Sequence, residues 1–122
     1  MQPDRPRILI IDDDPYHLEI YGLLVNEAGY DAVPALVRFA DVESPLQDHI
    51  ALILLDYQLN SQRPTSDLAR ELRTQYPETP ILLLSDVWSL PAEMAPYVSG
   101  FVRKGDPARL LSTMRKILPR RS

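Results

Sequence analysis

Four polar features stand where they could act together: the triplet Asp12-Asp13-Asp14, a lone Asp56, Ser85 and Lys104. The first three each follow an apolar run, Ile8-Leu9-Ile10-Ile11, Ala51-Leu52-Ile53-Leu54-Leu55 and Ile81-Leu82-Leu83-Leu84; Lys104 follows Gly100-Phe101-Val102-Arg103. Unbroken apolar runs of this length read as strands buried on both faces, the habit of parallel sheets. Open α/β sheets gather their chemistry beyond the carboxyl ends of such strands. Asp12, Asp13 and Asp56 are therefore expected at one rim. Carboxylates a few ångströms apart repel by about 1–4 kcal/mol per pair in a wet site, and no structural need explains that crowding. A compensating cation is the simplest answer. Oxygen ligation by carboxylates, a backbone carbonyl and water suits Mg2+, or Mn2+. With the ion screening Asp56, Lys104 adding fixed positive charge and Ser85 a hydroxyl donor, the set suits a phosphoryl group carried on the Asp56 carboxylate.

Each feature alone has a plainer reading. Asp14 suits a helix N-cap, an acid after a strand is often only a cap, and Ser85 alone suits a turn. Lys104 alone would be a solvated lysine, although the chain has only two lysines beside eleven arginines. The joint placement at successive strand ends is what carries the reading.

The elements that must position these groups alternate. A first strand spans Arg7 to Ile11; Asp14-Pro15 opens a helix with Leu18, Tyr21, Val25 and Ala28 on one face and Gly29 as its stop. A short second strand covers Tyr30 to Pro34. A poorly patterned second helix is expected within Leu36 to Asp48, with Phe39, Val42 and Leu46 inward despite Pro45. After the third strand, Tyr57 to Pro64 is a loop and Ser66 to Tyr76 a helix carrying Leu68, Leu72 and Tyr76 inward. The fourth strand is Ile81 to Leu84, followed by a short irregular helix over Pro91 to Val98. Gly100 to Arg103 is the fifth strand, and Asp106-Pro107 caps a last helix striped by Leu110, Leu111, Met114, Ile117 and Leu118. Such alternation predicts an α/β, doubly wound, five-stranded parallel sheet of order 2-1-3-4-5, a flavodoxin-like three-layer sandwich.

Size and composition bound the rest. At 122 residues the chain is one domain, with a core over 7–118 and loose ends at 1–6 and 119–122. A net charge of -4 gives no reason to expect direct nucleic-acid binding. The absence of cysteine excludes disulfides and thiolate chemistry and fits a cytoplasmic setting. No apolar run approaches a membrane span, and no signal-like amino terminus is present.

The sequence resembles the receiver domain of two-component response regulators from Arg7 to Leu118. The resemblance rests on Ile8-Leu9-Ile10-Ile11-Asp12-Asp13-Asp14-Pro15, Leu54-Leu55-Asp56-Tyr57-Gln58-Leu59, Leu83-Leu84-Ser85 and Gly100-Phe101-Val102-Arg103-Lys104. It implies Asp56 as phospho-acceptor, Asp13 as direct Mg2+ ligand, Asp12 as a ligand mostly through water, and the Gln58 backbone carbonyl as the remaining protein ligand. Ser85 matches the hydroxyl that swings to the phosphoryl group, Lys104 the lysine that pairs with it, and Phe101 the aromatic switch. Gln58, Asp86 and Val87 match positions that modulate access. The implied donor is a phosphohistidine on a sensor histidine kinase or phosphotransfer protein, with self-catalysed transfer and dephosphorylation. The implied output is a changed face of the fourth and fifth helices and the strand between them. It would control a downstream protein, a fused output domain or a phosphorylation-dependent homodimer.

Departures from the pattern are specific. Asn60 replaces the usual proline, the loop after Asp56 is one residue longer, and Thr65 or Ser66 stands at the usual glycine. Asp86 replaces a small residue, which predicts slow phosphorylation by small donors and slow turnover. Gly105 replaces a common proline, giving the loop into the last helix another route. Trp88 is expected to fill the gap between its loop and the fourth helix, and His17 and His49 to be surface residues. No output domain follows Arg120-Arg121-Ser122, which fits a single-domain regulator or a receiver taken from a longer protein. The alternative is a degenerate receiver that binds partners without phosphorylation, which the intact acidic pair, Asp56 and Lys104 oppose. A phosphatase resembling the haloacid dehalogenase superfamily could use Asp12 and Asp14, but Tyr16 stands where that family needs a small residue.

Overall fold

Seven consecutive residues, Ile50–Asp56, form the central strand, and five of its last six side chains are apolar and all but Ala51 are buried. The structure, a computed structural model, describes residues 5–38, 41–42, 48–59 and 63–118. The elements in chain order are β1 (Arg7–Asp12), α1 (Pro15–Glu27), β2 (Asp31–Arg38), β3 (Asp41–Val42), β4 (Ile50–Asp56), α2 (Thr65–Gln75), β5 (Ile81–Ser85), β6 (Gly100–Arg103) and α3 (Pro107–Ile117). The sheet order is β3-β2-β1-β4-β5-β6, parallel throughout except for the two-residue β3. Its five parallel strands have the expected 2-1-3-4-5 order. No helix among the described residues is long and apolar enough to cross a membrane.

Period-two alternation along the strands builds two cores. Leu9, Ile11, Ile53, Leu55, Ile81 and Leu83 face α2, where Leu68, Ala69, Leu72 and Tyr76 are buried. Ile8, Ile10, Leu52, Leu54, Leu82 and Leu84 face the other way, onto Leu18 and Val25 of α1 and Leu110 and Met114 of α3. Both faces of the sheet are covered, as an all-apolar strand requires.

Local caps set the helix starts. Asp14 accepts the Tyr16 N–H at 2.9 Å with Pro15 in the first turn, and Asp106 accepts the Arg109 N–H at 3.1 Å with Pro107 in the first turn. Gly29 takes the left-handed φ of 100° that ends α1. Arg5 closes the same end from outside, donating to the carbonyls of Asn26, Gly29 and Tyr30. Ala28, expected on the buried face, is the exposed cap residue of that helix.

Two expected helices are not formed among the described residues. The second strand does not stop at Pro34: buried Val33, Ala35 and Val37 carry the alternation on, and Leu36–Arg38 complete β2. The chain then folds back, pairing Val37 with Val42 and Arg38 with Asp41. Pro34 is tolerated because, beyond that short pairing, β2 is the sheet's outer strand. Phe39, Pro45 and Leu46 lie outside the described residues. Between Pro91 and Val98 there is a succession of turns, with Met94, Ala95 and Tyr97 donating three residues back to Pro91, Ala92 and Met94. Pro91 and Pro96 lack the amide donors a continuous helix needs. Met94 is nonetheless fully buried, so the segment covers the sheet where a helix was expected.

Arg73 fastens that segment to α2. Its Nη1 donates to the carbonyls of Tyr76, Pro77 and Thr79, and its Nη2 to the Tyr97 carbonyl at 2.9 Å. Charge-assisted bonds to half-buried carbonyls are worth about 1.5–3 kcal/mol when removed with their partners left unpaired. Arg73→Ala is expected to lose stability on that scale. Hydrogen exchange should show the amides of Met94, Ala95 and Tyr97 opening before those of β5; uniform loss of protection would refute the fastening role.

Candidate functional site

The strand ends bring the polar groups together because their registers are level. Asp12 ends β1, Asp56 ends β4 and Ser85 ends β5, and these three strands are neighbours. Asp56 pairs with Leu84 across β4 and β5, and Ser85 with Arg103 across β5 and β6. The Tyr57 N–H donates to the Leu84 carbonyl and the Lys104 N–H to the Ser85 carbonyl, both at 2.9 Å, so pairing continues one residue past each strand. Asp12, Asp56 and Ser85 are the buried polar side chains of the described core.

Asp12, Asp13 and Asp56 each offer a carboxylate oxygen, all within 4.8 Å of one another. Lys104 Nζ lies 2.6 Å from Asp56 Oδ1, and that oxygen also accepts the Gln58 N–H at 3.1 Å. Asp12 Oδ1 accepts the Asp14 N–H at 3.1 Å. Burial, then the Asp56 charge, pushes the Asp12 carboxyl up to about 7, against the opposing bond from Asp14. Burial pulls the Lys104 ammonium down, but the bond to Asp56 and the charges of Asp56, Asp12 and Asp86 outweigh it and hold Lys104 above its ordinary value. A buried carboxyl that keeps its proton toward neutrality beside a second acid marks a site with more negative charge than Lys104 alone offsets.

The other expected residues are placed as follows. Ser85 is buried and its Oγ accepts the Val87 N–H at 3.1 Å, a local turn that holds the hydroxyl within its own loop. Val87 is half-buried and Asp86 exposed. Gln58 is exposed beside Asp56, and half-buried Phe101 packs on the α2-side core. Thr65, one of the two residues expected at the glycine position, donates its hydroxyl to the Tyr57 carbonyl at 2.7 Å and so ties the start of α2 to the residue after Asp56. Asn60 lies outside the described residues. Gly105 has φ 86°, a turn closed to proline, whose ring fixes φ near -65°.

One expectation is corrected. Trp88 does not fill a gap: it is 82% exposed, with its ring stacked 3.7 Å from the Arg103 guanidinium. His17 lies at the surface, as expected, but has acidic partners there. Half-exposed in the first turn of α1, it sets Nδ1 3.5 Å from Asp12 Oδ2 and Nε2 3.5 Å from Asp14 Oδ2. The available signal was its place three residues after the N-cap Asp14, on a helix that starts at the acidic rim. His49 is exposed, as expected, in a left-handed turn before β4. Sequence reasoning also missed that the Tyr57 hydroxyl donates to the Glu93 carboxylate, linking the residue after Asp56 to the 91–98 turns.

No protein-family model and no curated protein matches the sequence. Solved structures do. The chemotaxis response regulator CheY4 of Vibrio cholerae has a TM-score of 0.81 at 21% identity, over 94% of this chain and 100% of that one. The response regulator TrrA of Thermotoga maritima, in complex with Mg2+ and BeF, has 0.78 at 22%, over 93% and 99%. A response regulator receiver domain protein of Methanospirillum hungatei has 0.76 at 20%, over 93% of each chain. The chain has the fold of response regulator receiver domains.

Proposed function

We propose that this chain is a phosphorylation-dependent signalling switch of the two-component type, with Asp56 as acceptor. The observation that carries the reading is the Lys104–Asp56 contact of 2.6 Å beside two further carboxylates at the rim of a receiver fold. The donor set fits a hard divalent cation: three clustered carboxylate oxygens, one on a carboxyl whose proton a cation would displace. Asp12, Asp13, Asp56 and the Gln58 carbonyl would hold Mg2+ or Mn2+. When bound, the ion neutralises charge on the transferring phosphoryl group.

The chain's own residues do the rest. An oxygen of the Asp56 carboxylate forms a bond to phosphorus as the phosphorus–nitrogen bond of a phosphohistidine breaks, and the leaving imidazole takes a proton from solvent. Lys104, already on Asp56, follows the charge onto a phosphoryl oxygen. Ser85 exchanges its bond from Val87 for one donated to the phosphoryl group. That exchange pulls the 86–90 loop and frees Phe101 to repack against Met94, Tyr97 and Val98. The surface of the 91–98 turns, β6 and α3 then changes for a downstream partner, an output domain or a second copy. Gln58, Asp86 and Val87 border the approach, and Asp86 adds negative charge there. A sensor histidine kinase or phosphotransfer protein as donor, and a cytoplasmic setting, belong to the same reading.

Intact mass after incubation with acetyl phosphate and Mg2+ tests it. The parent should gain one phosphoryl group, and Asp56→Asn or the parent in chelator none. An unmodified parent, or a modified Asp56→Asn, overturns the reading.

A further inference from the structure

The loop that follows Ser85 is tied back to one side chain, that of Arg103. Ser85 and Arg103 are register partners at the ends of β5 and β6, and the Lys104 N–H continues the ladder onto the Ser85 carbonyl at 2.9 Å. Arg103 therefore stands on a fixed base. From there its guanidinium lies 3.7 Å from the centroid of the Trp88 ring, and its Nη2 makes a long contact of 3.5 Å with the Asp86 carbonyl. Within the loop held this way, the Val87 N–H donates to Ser85 Oγ at 3.1 Å. The hydroxyl that a phosphoryl group would recruit is thus kept in a turn whose residues on either side of Val87, Asp86 and Trp88, both rest on Arg103. Core packing does not account for the pair, since Trp88 is 82% exposed and Arg103 is exposed as well.

We propose that the Trp88–Arg103 stack is a latch on the loop after Ser85, so that Arg103 sets how readily Ser85 is released to the phosphoryl group. This rests on the reading of Asp56 as acceptor. Arg103 is a positioning residue here, acting through the loop. When Ser85 leaves Val87 for the phosphoryl group, residues 86–88 are drawn with it and the ring parts from the guanidinium. The stack stabilises only the state before that movement, so it opposes phosphoryl binding by its own strength. An exposed cation–π contact is worth about two- to fivefold in an equilibrium constant.

Amide hydrogen exchange followed by NMR, with neither metal nor phosphoryl donor present, tests the latch itself. Exchange at the Val87 N–H should quicken about two- to fivefold in Trp88→Leu and in Arg103→Gln, with no further gain in the double variant. Trp88→Phe, which keeps an aromatic face, should stay nearer the parent. Calorimetric titration with beryllofluoride, a stand-in for the phosphoryl group, in saturating Mg2+ measures the consequence. Trp88→Leu should bind it about two- to fivefold more tightly than the parent, and the same substitution in the Arg103→Gln background should change nothing. Unchanged Val87 exchange, no tighter binding in Trp88→Leu, or the same gain with Arg103 replaced overturns the latch and leaves the acceptor reading standing. A folded parent that takes up no beryllofluoride overturns both.

Discussion

Asp12→Asn is expected to stabilise the metal-free protein by about 2–4 kcal/mol at about pH 8 and to leave it nearly unchanged at about pH 4. Asp12 is 2% exposed at the end of β1, and its carboxyl is raised from an ordinary 3.8 to about 7 by burial and then by Asp56. Folded Asp12 keeps its proton until about pH 7, whereas the unfolded chain releases it near 3.8. Between those values the folded state binds more protons, so stability falls as pH rises. The penalty is absent below the lower value and complete above the upper one. That gap corresponds to about 4 kcal/mol at roughly 1.4 kcal/mol per tenfold. Asparagine cannot ionise, yet its carbonyl can still accept the Asp14 N–H that Asp12 Oδ1 accepts at 3.1 Å. Denaturant midpoints in chelator across pH 4 to 8 would show the parent's profile falling and the variant's flatter. Parallel profiles would mean that Asp12 carries no such penalty. Saturating Mg2+ should stabilise the parent above neutrality, by about 2.7 kcal/mol at a hundred times Kd, and the variant much less.

The same charge crowding was legible in the sequence because it depends on strand ends, which apolar runs reveal. Ile8 to Ile11, Leu52 to Leu55 and Ile81 to Leu84 are buried on both sheet faces, so their termini, and with them Asp12, Asp56 and Ser85, could be placed from pattern alone. The Asp14-Pro15 and Asp106-Pro107 caps were equally legible, since a cap is settled within one turn. What failed was decided at longer range. Pairing of Leu36 with Asp12 of β1, continued by Val37 with Val42, put strand in the described part of an expected helix, and pairing of that kind overrides local preference. Prolines 91 and 96 were visible, but burial of Met94, which keeps the turns in a helix's place, was not. Trp88 could not be assigned to Arg103, nor Tyr57 to Glu93, before the fold brought those pairs together. The acidic partners of His17 were missed although Asp14 is local, because the other, Asp12, is on the preceding strand.

Lys104→Met should act in the opposite sense to Asp12→Asn, with a loss of about 3–5 kcal/mol in chelator near neutral pH. Lys104 Nζ lies 2.6 Å from Asp56 Oδ1, and the two side chains are 17% and 3% exposed. Methionine keeps the length of the side chain but strands the carboxylates without their cation. Because the folded ammonium is held above its ordinary 10.5, the contribution of Lys104 is complete through the neutral range and fades only as pH rises past that value. The loss in the variant should instead shrink as pH falls, since the stranded acids then take up protons. Mg2+ should restore much of the stability, whereas phosphoryl incorporation from acetyl phosphate should stay at least about tenfold slower, since the ion cannot replace a donor aimed at the phosphoryl oxygens. In the double variant, Asp12→Asn should recover part of the loss, a coupling of about 0.5–3 kcal/mol between neighbours that share a charge field. Chemical denaturation of the four proteins, with and without Mg2+, measures the cycle. Were the rim an ordinary structural polar network, both single variants would destabilise and Mg2+ would shift neither. Opposite signs that Mg2+ draws back toward the parent require an excess of negative charge.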